Sequence, residues 1–418
     1  MPDKNYLGLN VLEAARQRIA WTFDTFPQIY LSFSGGKDST VMLHLVMDEA
    51  IRRGQKIGVL FIDFEGQYKL TIDHIQACYD LYADYIIPYW VALPIHLRNG
   101  VSMYEHHWIA WEPGREEDWI RSLPAMAIND QSYFPFYRYS MEFEEFTPAF
   151  GHWYAQEQLT ACFVGIRTSE SLNRWRTIAG HGMKFEGIKH TNYIGQSLYN
   201  VYPIYDWATE DLWTYHYKFP DKLYNRLYDL MHKAGLSIHQ MRICQPYGDD
   251  QRKGLWLFHL IEPETWSRIV ARVNGANSGA LYAQESGNIL GNFKITKPEG
   301  HTWESFAKLL LESLPPKTKE HFTNKIAVFI HWWQERGYPD GIPDEMDKKA
   351  EAAKEVPSWR RICKMLLRND YWAKGLSFSQ HKSQAYEKYR KIMMKRRTAW
   401  NLFSDTELSN ESEPSYRL

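Results

Sequence analysis

The run from Gln28 to Arg53, QIYLSFSGGKDSTVMLHLVMDEAIRR, restricts the possible folds of this chain more than any other stretch. Ile29 to Phe33 is a short apolar and aromatic run of the kind that forms a buried parallel strand. Ser34-Gly35-Gly36-Lys37-Asp38-Ser39-Thr40 interrupts it, and Val41, Met42, Leu45 and Val46 then mark one face of an amphipathic helix. A strand, a glycine turn and a helix in succession make a phosphate cradle. The glycines let backbone N–H groups approach an anion, and the helix N-terminus adds the positive end of its dipole. Hydroxyls of Ser34, Ser39 and Thr40 and the ammonium of Lys37 gather around the same point. The spacing is neither GxxxxGK[ST] nor GxGxxG, which sets the loop apart from the Walker and dinucleotide motifs. The plain alternative is a glycine turn with a capping serine.

At 418 residues, two domains are the natural expectation. The 15% aromatic share, with 17 Trp, points first to aromatic core packing, and otherwise to base-stacking surfaces or a partner interface. The net charge of −1 hides an asymmetry. Lys354 to Arg397 holds 13 Lys and Arg against three acids, a local +10 that leaves −11 for the rest. Cys78, Cys162, Cys244 and Cys363 lie far apart without zinc spacing, as scattered buried thiols of a reducing compartment would. No metal site is assigned. No signal peptide is visible and no apolar run reaches the roughly 18 residues of a membrane span, so a cytoplasmic protein is expected.

The patterning is that of a doubly wound α/β fold followed by a mainly helical region. A helix is expected from about Asn10 to Phe23, a second buried strand over Lys56 to Phe64, and a helix over residues 68–83. A third strand is expected over Tyr85 to Pro94, pushed to an edge by Pro88. Asp63 and Glu65 follow the second strand, where a doubly wound sheet meets ligands, and Asp63 is a candidate for placing magnesium or ribose. Residues 96–150, rich in aromatics and charge, read as an insertion over the sheet, and the adjacent pair His106-His107 suits a surface or stacking role better than metal binding. A strand over Ala161 to Val164 then ends in Gly165-Ile166-Arg167-Thr168-Ser169-Glu170-Ser171, followed by Arg174 and Arg176. A strand-end glycine with spaced arginines suits phosphate or sulfate, the alternative being a helix face paired with Glu170. Thr209 is expected to cap a helix that ends at Phe219-Pro220. Helices are expected over His259 to Val273, Ser305 to Leu314 and Thr318 to Arg336, with residues 404–418 a disordered tail. The expected division is therefore 1–235, 236–403 and the tail.

SGGKDS after an apolar strand resembles the pyrophosphate (PP) loop of the adenine-nucleotide α-hydrolase superfamily, which includes PAPS reductases, ATP sulfurylase small subunits, tRNA thiolation enzymes and GMP synthetase. GIRTSESLNR is similar to the G-x-R-x-x-x-S-x-x-R segment of PAPS-reductase-like proteins. Val201 to Trp213 resembles that family's PI-x-x-W-x-x-x-D-x-W segment, and Leu223 to Tyr228 its NPLYD stretch. With the helical second half and the PSWRRICK–NDYW region, the nearest likeness is to the subgroup of immunoglobulin-binding regulator A and YbdN. That resemblance implies a companion ParB-like protein. It also exposes a difference. PAPS reductases attack with a cysteine on a Glu-Cys-Gly-x-His segment, and this sequence holds none, which disfavours ordinary sulfonucleotide reduction.

The leading expectation is a magnesium-dependent enzyme acting on the α–β bond of ATP or a related adenine nucleotide. Ser34, Gly35, Gly36, Lys37, Asp38, Ser39 and Thr40 would cradle phosphates, with Gly165, Arg167, Arg174 and Asp63 completing the site. Lys37, Asp38 and Arg167 are the catalytic candidates. One alternative is a non-catalytic nucleotide sensor whose basic segment 354–397, with Trp372, Tyr386, Tyr389 and Trp400 interleaved or adjacent, binds nucleic acid or an acidic partner. The other is sulfur transfer to nucleic acid, for which Cys244 is the candidate thiol.

Overall fold

A computed structural model describes residues 8–102, 105–179, 182–243, 247–248, 254–273, 275–276, 295–314, 316–368 and 370–376. Cys244, residues 377–397 of the basic segment, Trp400 and the 404–418 tail lie outside the described residues. The chain divides into two compact units, Met1–Leu290 and Gly291–Leu418.

In the first unit, α1 (Val11–Thr25) opens at Asn10, whose Oδ1 accepts the Glu13 N–H at 2.9 Å. Next come β1 (Gln28–Ser32), α2 (Lys37–Arg53), β2 (Ile57–Ile62), α3 (Lys69–Leu81) and β3 (Ile86–Val91). A hairpin of β4 (Ile95–Arg98) and β5 (His107–Ala110) follows, then α4 (Phe143–Ala155), β6 (Thr160–Val164), α5 (Leu172–Ala179), β7 (Thr191–Gly195) and β8 (Leu198–Val201). Among the described residues α6 (Thr209–Lys218), α7 (Leu227–Lys233), α8 (Leu255–Ile261) and α9 (Pro263–Arg272) then follow. The main sheet has the order β3-β2-β1-β6-β8-β7, parallel except for β7, which pairs antiparallel with β8.

The unbroken apolar run of β2 is buried at every position, as parallel strands covered on both faces require. Pro88 lies in β3, at the sheet edge where a missing N–H is tolerated. The chain winds from β1 through β2 to β3 and then returns to β1's other side at β6. The C-terminal ends of β1 and β6 therefore stand side by side at the topological switch point, where open α/β sheets form their ligand crevice.

Residues 96–150 contribute the β4–β5 hairpin and much of a second aromatic core. Phe134, Phe146 and Phe150 are buried there, and Trp153 meets Phe134 edge-on at 4.9 Å. His107 stacks on His96 at 4.4 Å across the hairpin. The first compact unit runs past the boundary expected at 235. Phe258 of α8 stacks on Tyr68 at 3.6 Å, and Arg272 of α9 pairs with Glu65. The single helix expected over His259 to Val273 is two helices, because Pro263 starts a new one at the position where its lacking N–H costs nothing. Likewise Ala208, not Thr209, occupies the N-cap of α6, and its N–H donates to Asp211 at 2.7 Å.

The second unit contains α10 (Trp303–Glu312), α11 (Pro316–Gln334), α12 (Lys348–Ala353) and α13 (Trp359–Leu367). Phe322, Phe329, Ile362, Met365 and Leu366 pack around Trp303. Ser358 caps α13 by accepting the Arg361 N–H at 3.2 Å. Among the described residues, no helix is long and apolar enough to cross a membrane.

Candidate functional site

β1 delivers the glycine loop, and its shape follows from steric demands. Gly35 has φ of 69°, and a Cβ there would stand 2.8 Å from Ile75 Cγ1, so glycine alone fits. Gly36 is the N-cap of α2, and no side chain caps the helix from that position. The dipole end of α2 thus faces the loop without an anionic cap of its own. Ser34 and Ser39 join hydroxyls at 2.9 Å, and the Gly36 N–H donates to Ser34 Oγ at 3.4 Å.

Three groups from later in the chain brace the loop. Asn225 Nδ2 donates to Gly35 O at 3.1 Å and to Thr71 Oγ1 at 3.0 Å. The Lys37 N–H donates to the Tyr228 hydroxyl at 2.9 Å, and the Lys37 ammonium donates to Met241 O at 3.1 Å. Lys37 is 7% exposed, and its Nζ lies 3.4 Å from the Asp38 carboxylate. Thr40 is wholly buried, with its hydroxyl against His74 Nε2 at 3.0 Å, so it supports α2 from behind. Burial, then the nearby charge of His216, lowers the His74 pKa to about 4, which keeps the ring neutral at neutral pH.

β6 supplies the facing side. A Cβ on Gly165 would lie 3.0 Å from Ser39 Cα and 3.1 Å from Ser39 N, both backbone atoms that cannot rotate away. Glycine at the end of β6 therefore lets that segment press against the first turn of α2. Arg167, only 2% exposed, donates Nε to Asp38 and Nη1 to Ser169 Oγ at 3.0 Å and Trp207 O at 3.3 Å. The result is a cluster of Lys37, Asp38 and Arg167 at a helix N-terminus, two cations to one carboxylate, which suits an anion.

Besides Thr40, which the fold buries against His74 and turns away from the cradle, two expected members are placed otherwise. Arg174 pairs with Glu170, one turn earlier, and its side chain is 43% exposed; this is the helix-face ion pair that stood as the alternative. Glu170 also accepts the Arg167 N–H at 3.2 Å, so Arg174 steadies the loop through that carboxylate. Arg176 is exposed on α5. Asp63 is fully buried, and both carboxylate oxygens are engaged. Oδ1 accepts Arg121 Nη2 and the Glu65 N–H (2.9 Å), and Oδ2 accepts Trp90 Nε1 at 2.8 Å. Glu65 is also buried, accepting the Trp111 and Ile120 N–H groups and Arg272 Nε. These acids hold the 96–150 segment and α9 onto the sheet and are not presented to a ligand.

Among the described residues no group of three His, Cys, Asp or Glu side chains is arranged to hold a metal. Magnesium usually needs only one or two carboxylates beside substrate phosphates, and Asp38 is the acid at the loop. Cys78, Cys162 and Cys363 are free and buried, and burial pushes each thiol up to about 12.

Of the residues expected from the sequence, the structure brings the loop, Gly165 and Arg167 together. Sequence reasoning missed the roles of Asn225 and Tyr228, although both lie in the NPLYD-like stretch, and it missed the Met241 carbonyl, which carries no side-chain signal.

The family described as "Phosphoadenosine phosphosulfate reductase domain" matches residues 28–234, and "Domain of unknown function (DUF3440)" matches 235–340 and 338–387. The chain belongs to the PAPS-reductase-like family of the nucleotide-binding PP-loop superfamily. It is 45% identical over 405 residues to the "Uncharacterized protein YbdN" of Escherichia coli (strain K12), spanning 96% of this chain and 98% of that protein. Among solved structures, a PAPS reductase from Candida auris is similar at 15% identity, with 52% of this chain and 85% of that one covered and a TM-score of 0.31. The U34-tRNA thiolase NcsA from Methanococcus maripaludis is similar at 13% identity, with 73% and 90% covered and a TM-score of 0.29.

Proposed function

We propose that this protein binds an adenine nucleotide at residues 34–40 and acts on its α–β phosphate bond, releasing pyrophosphate or passing an adenylyl group to an acceptor. The observation that carries this reading is the approach of Gly165 to the Ser39 backbone, with Arg167 anchored on Asp38. It unites two phosphate-suited segments at one helix N-terminus, within a family whose domain is named for a sulfonucleotide. The loop amides and Lys37 would hold the departing phosphates, stabilising charge where it develops. Arg167 fixes Asp38, and Asp38 with the nucleotide phosphates would hold magnesium, which supplies charge neutralisation when bound.

The test is incubation with α-labelled ATP and magnesium across plausible acceptors. Labelled AMP or an adenylylated product is expected from the wild type, reduced by about 100-fold or more in Lys37→Ala, as for loss of one oxyanion-stabilising group. Absence of both products in the wild type would sink the catalytic reading. A nucleotide-sensing role is the second reading, favoured because Lys37 and Arg167 already rest on protein acceptors. Tight nucleotide binding without turnover would establish it.

A further inference from the structure

The second unit carries a cavity of about 700 Å³ with six basic and three acidic residues in its lining. Along α13 and its cap, Arg360, Lys364 and Arg368 recur every four residues, so they share one face, and all three line the cavity. The acids do not balance these charges evenly. Glu345 and Glu351 both accept from Arg360, each at 2.8 Å, and Asp370 accepts the Gly375 N–H at 2.6 Å. The Lys364 ammonium has no hydrogen bond or ion pair among the described residues. Arg361, only 5% exposed, donates to the Val356 and Gly375 carbonyls, and its Nε is buried with no partner among the described residues.

Burial lowers the pKa of Lys364 and of Arg361, and for Lys364 the charges of Arg368 and Arg360 add to the effect. Cations crowded together and deprived of water are in the condition that a multiply charged anion relieves. Trp303, Ile295 and Met365 make an apolar side to the same cavity. Its volume falls in the range of about 300–1,000 Å³ usual for small-molecule sites.

We propose that this cavity binds a phosphate-bearing ligand of nucleotide size, with Lys364 and Arg361 meeting the phosphate and the Trp303 side receiving the apolar remainder. The phosphate belongs either to a free phosphorylated small molecule or to a nucleic-acid strand, and the two sources share this chemistry. The site uses none of the glycine-loop residues.

The test uses the full chain with Lys37→Ala as background, so that the loop's contribution is held fixed. Inorganic pyrophosphate and a short single-stranded DNA oligonucleotide are titrated calorimetrically at low salt. At least one probe is expected to bind, to lose roughly tenfold or more in affinity when Lys364→Glu is added, and to retain its affinity with Lys364→Arg. Pyrophosphate binding alone assigns the site to a free phosphorylated ligand. Oligonucleotide binding that weakens steeply with salt assigns it to a nucleic-acid backbone. Failure of both probes to bind, or an affinity that Lys364→Glu leaves unmoved, overturns the proposal. Lys364 is half-buried at a polar position, and circular dichroism of each variant, with Lys364→Gln as a neutral substitute, separates lost binding from lost folding.

Discussion

Gly165 acts through the hydrogen it carries in place of a side chain. A methyl group there would meet Ser39 Cα at 3.0 Å and Ser39 N at 3.1 Å. Gly165→Ala should therefore spread β6's exit from α2 and weaken nucleotide binding by roughly tenfold or more, with a stability loss of about 1–3 kcal/mol from overpacking. Equilibrium dialysis with labelled ATP and urea denaturation of the same variant check both halves; unchanged nucleotide affinity would show that the close approach is dispensable. This glycine was legible in the sequence because a strand end, a glycine and spaced arginines are local neighbours. Asp63 was misread for the opposite reason. Its position beyond β2 suggested a ligand contact, while its real partners, Trp90 and Arg121, lie 27 and 58 residues away and carry no local sign of pairing.

Elements are held in place by that same buried acid. Arg121 brings the 96–150 segment to the end of β2, and Arg272 brings α9 to Glu65 two residues on. Removing one member of a buried ion pair leaves the other charged and unsolvated, at a cost of about 3–5 kcal/mol. Asp63→Ala should lower stability by about that much, and the double variant Asp63→Ala/Arg121→Met should recover part of it. Thermal unfolding of the two variants is the measurement, and equal losses in both would show the pair to be uncoupled. Strands β1, β2, β3 and β6 were readable from apolar runs and Pro88, whereas β7 and β8, short and rich in polar residues, were not. The hairpin β4–β5 was not, because its strands are four residues each and their alternation is submerged in a segment of aromatic residues.

For the whole molecule, the buried histidines set a pH response. Burial first lowers His44 to about 3, and His74 and His216 to about 4. In the unfolded chain these rings take up protons near pH 6.5, while the folded chain resists until much lower pH. Their contribution is thus complete above about pH 6.5 and is lost as pH falls toward 4, each ring withdrawing up to about 1.4 kcal/mol per pH unit. The urea midpoint should fall steadily from pH 6.5 to pH 5, and His44→Gln should flatten the slope. A constant midpoint across that interval would rule the response out. No inspection of sequence could have ranked these rings among the 16 histidines, since burial is a property of the assembled fold.

The support of Lys37 bears on how the protein could be divided. The two matched families meet between residues 234 and 235, an inviting place to cut. Yet the Met241 carbonyl that seats the Lys37 ammonium lies beyond that point, as does Arg272, the counter-charge of Glu65. A chain ended at 234 would keep the whole glycine loop while stripping its lysine of an acceptor and stranding a buried acid. Modularity in the family record is therefore not modularity in the molecule, and gene fusions or domain swaps made at that seam should inherit a damaged loop.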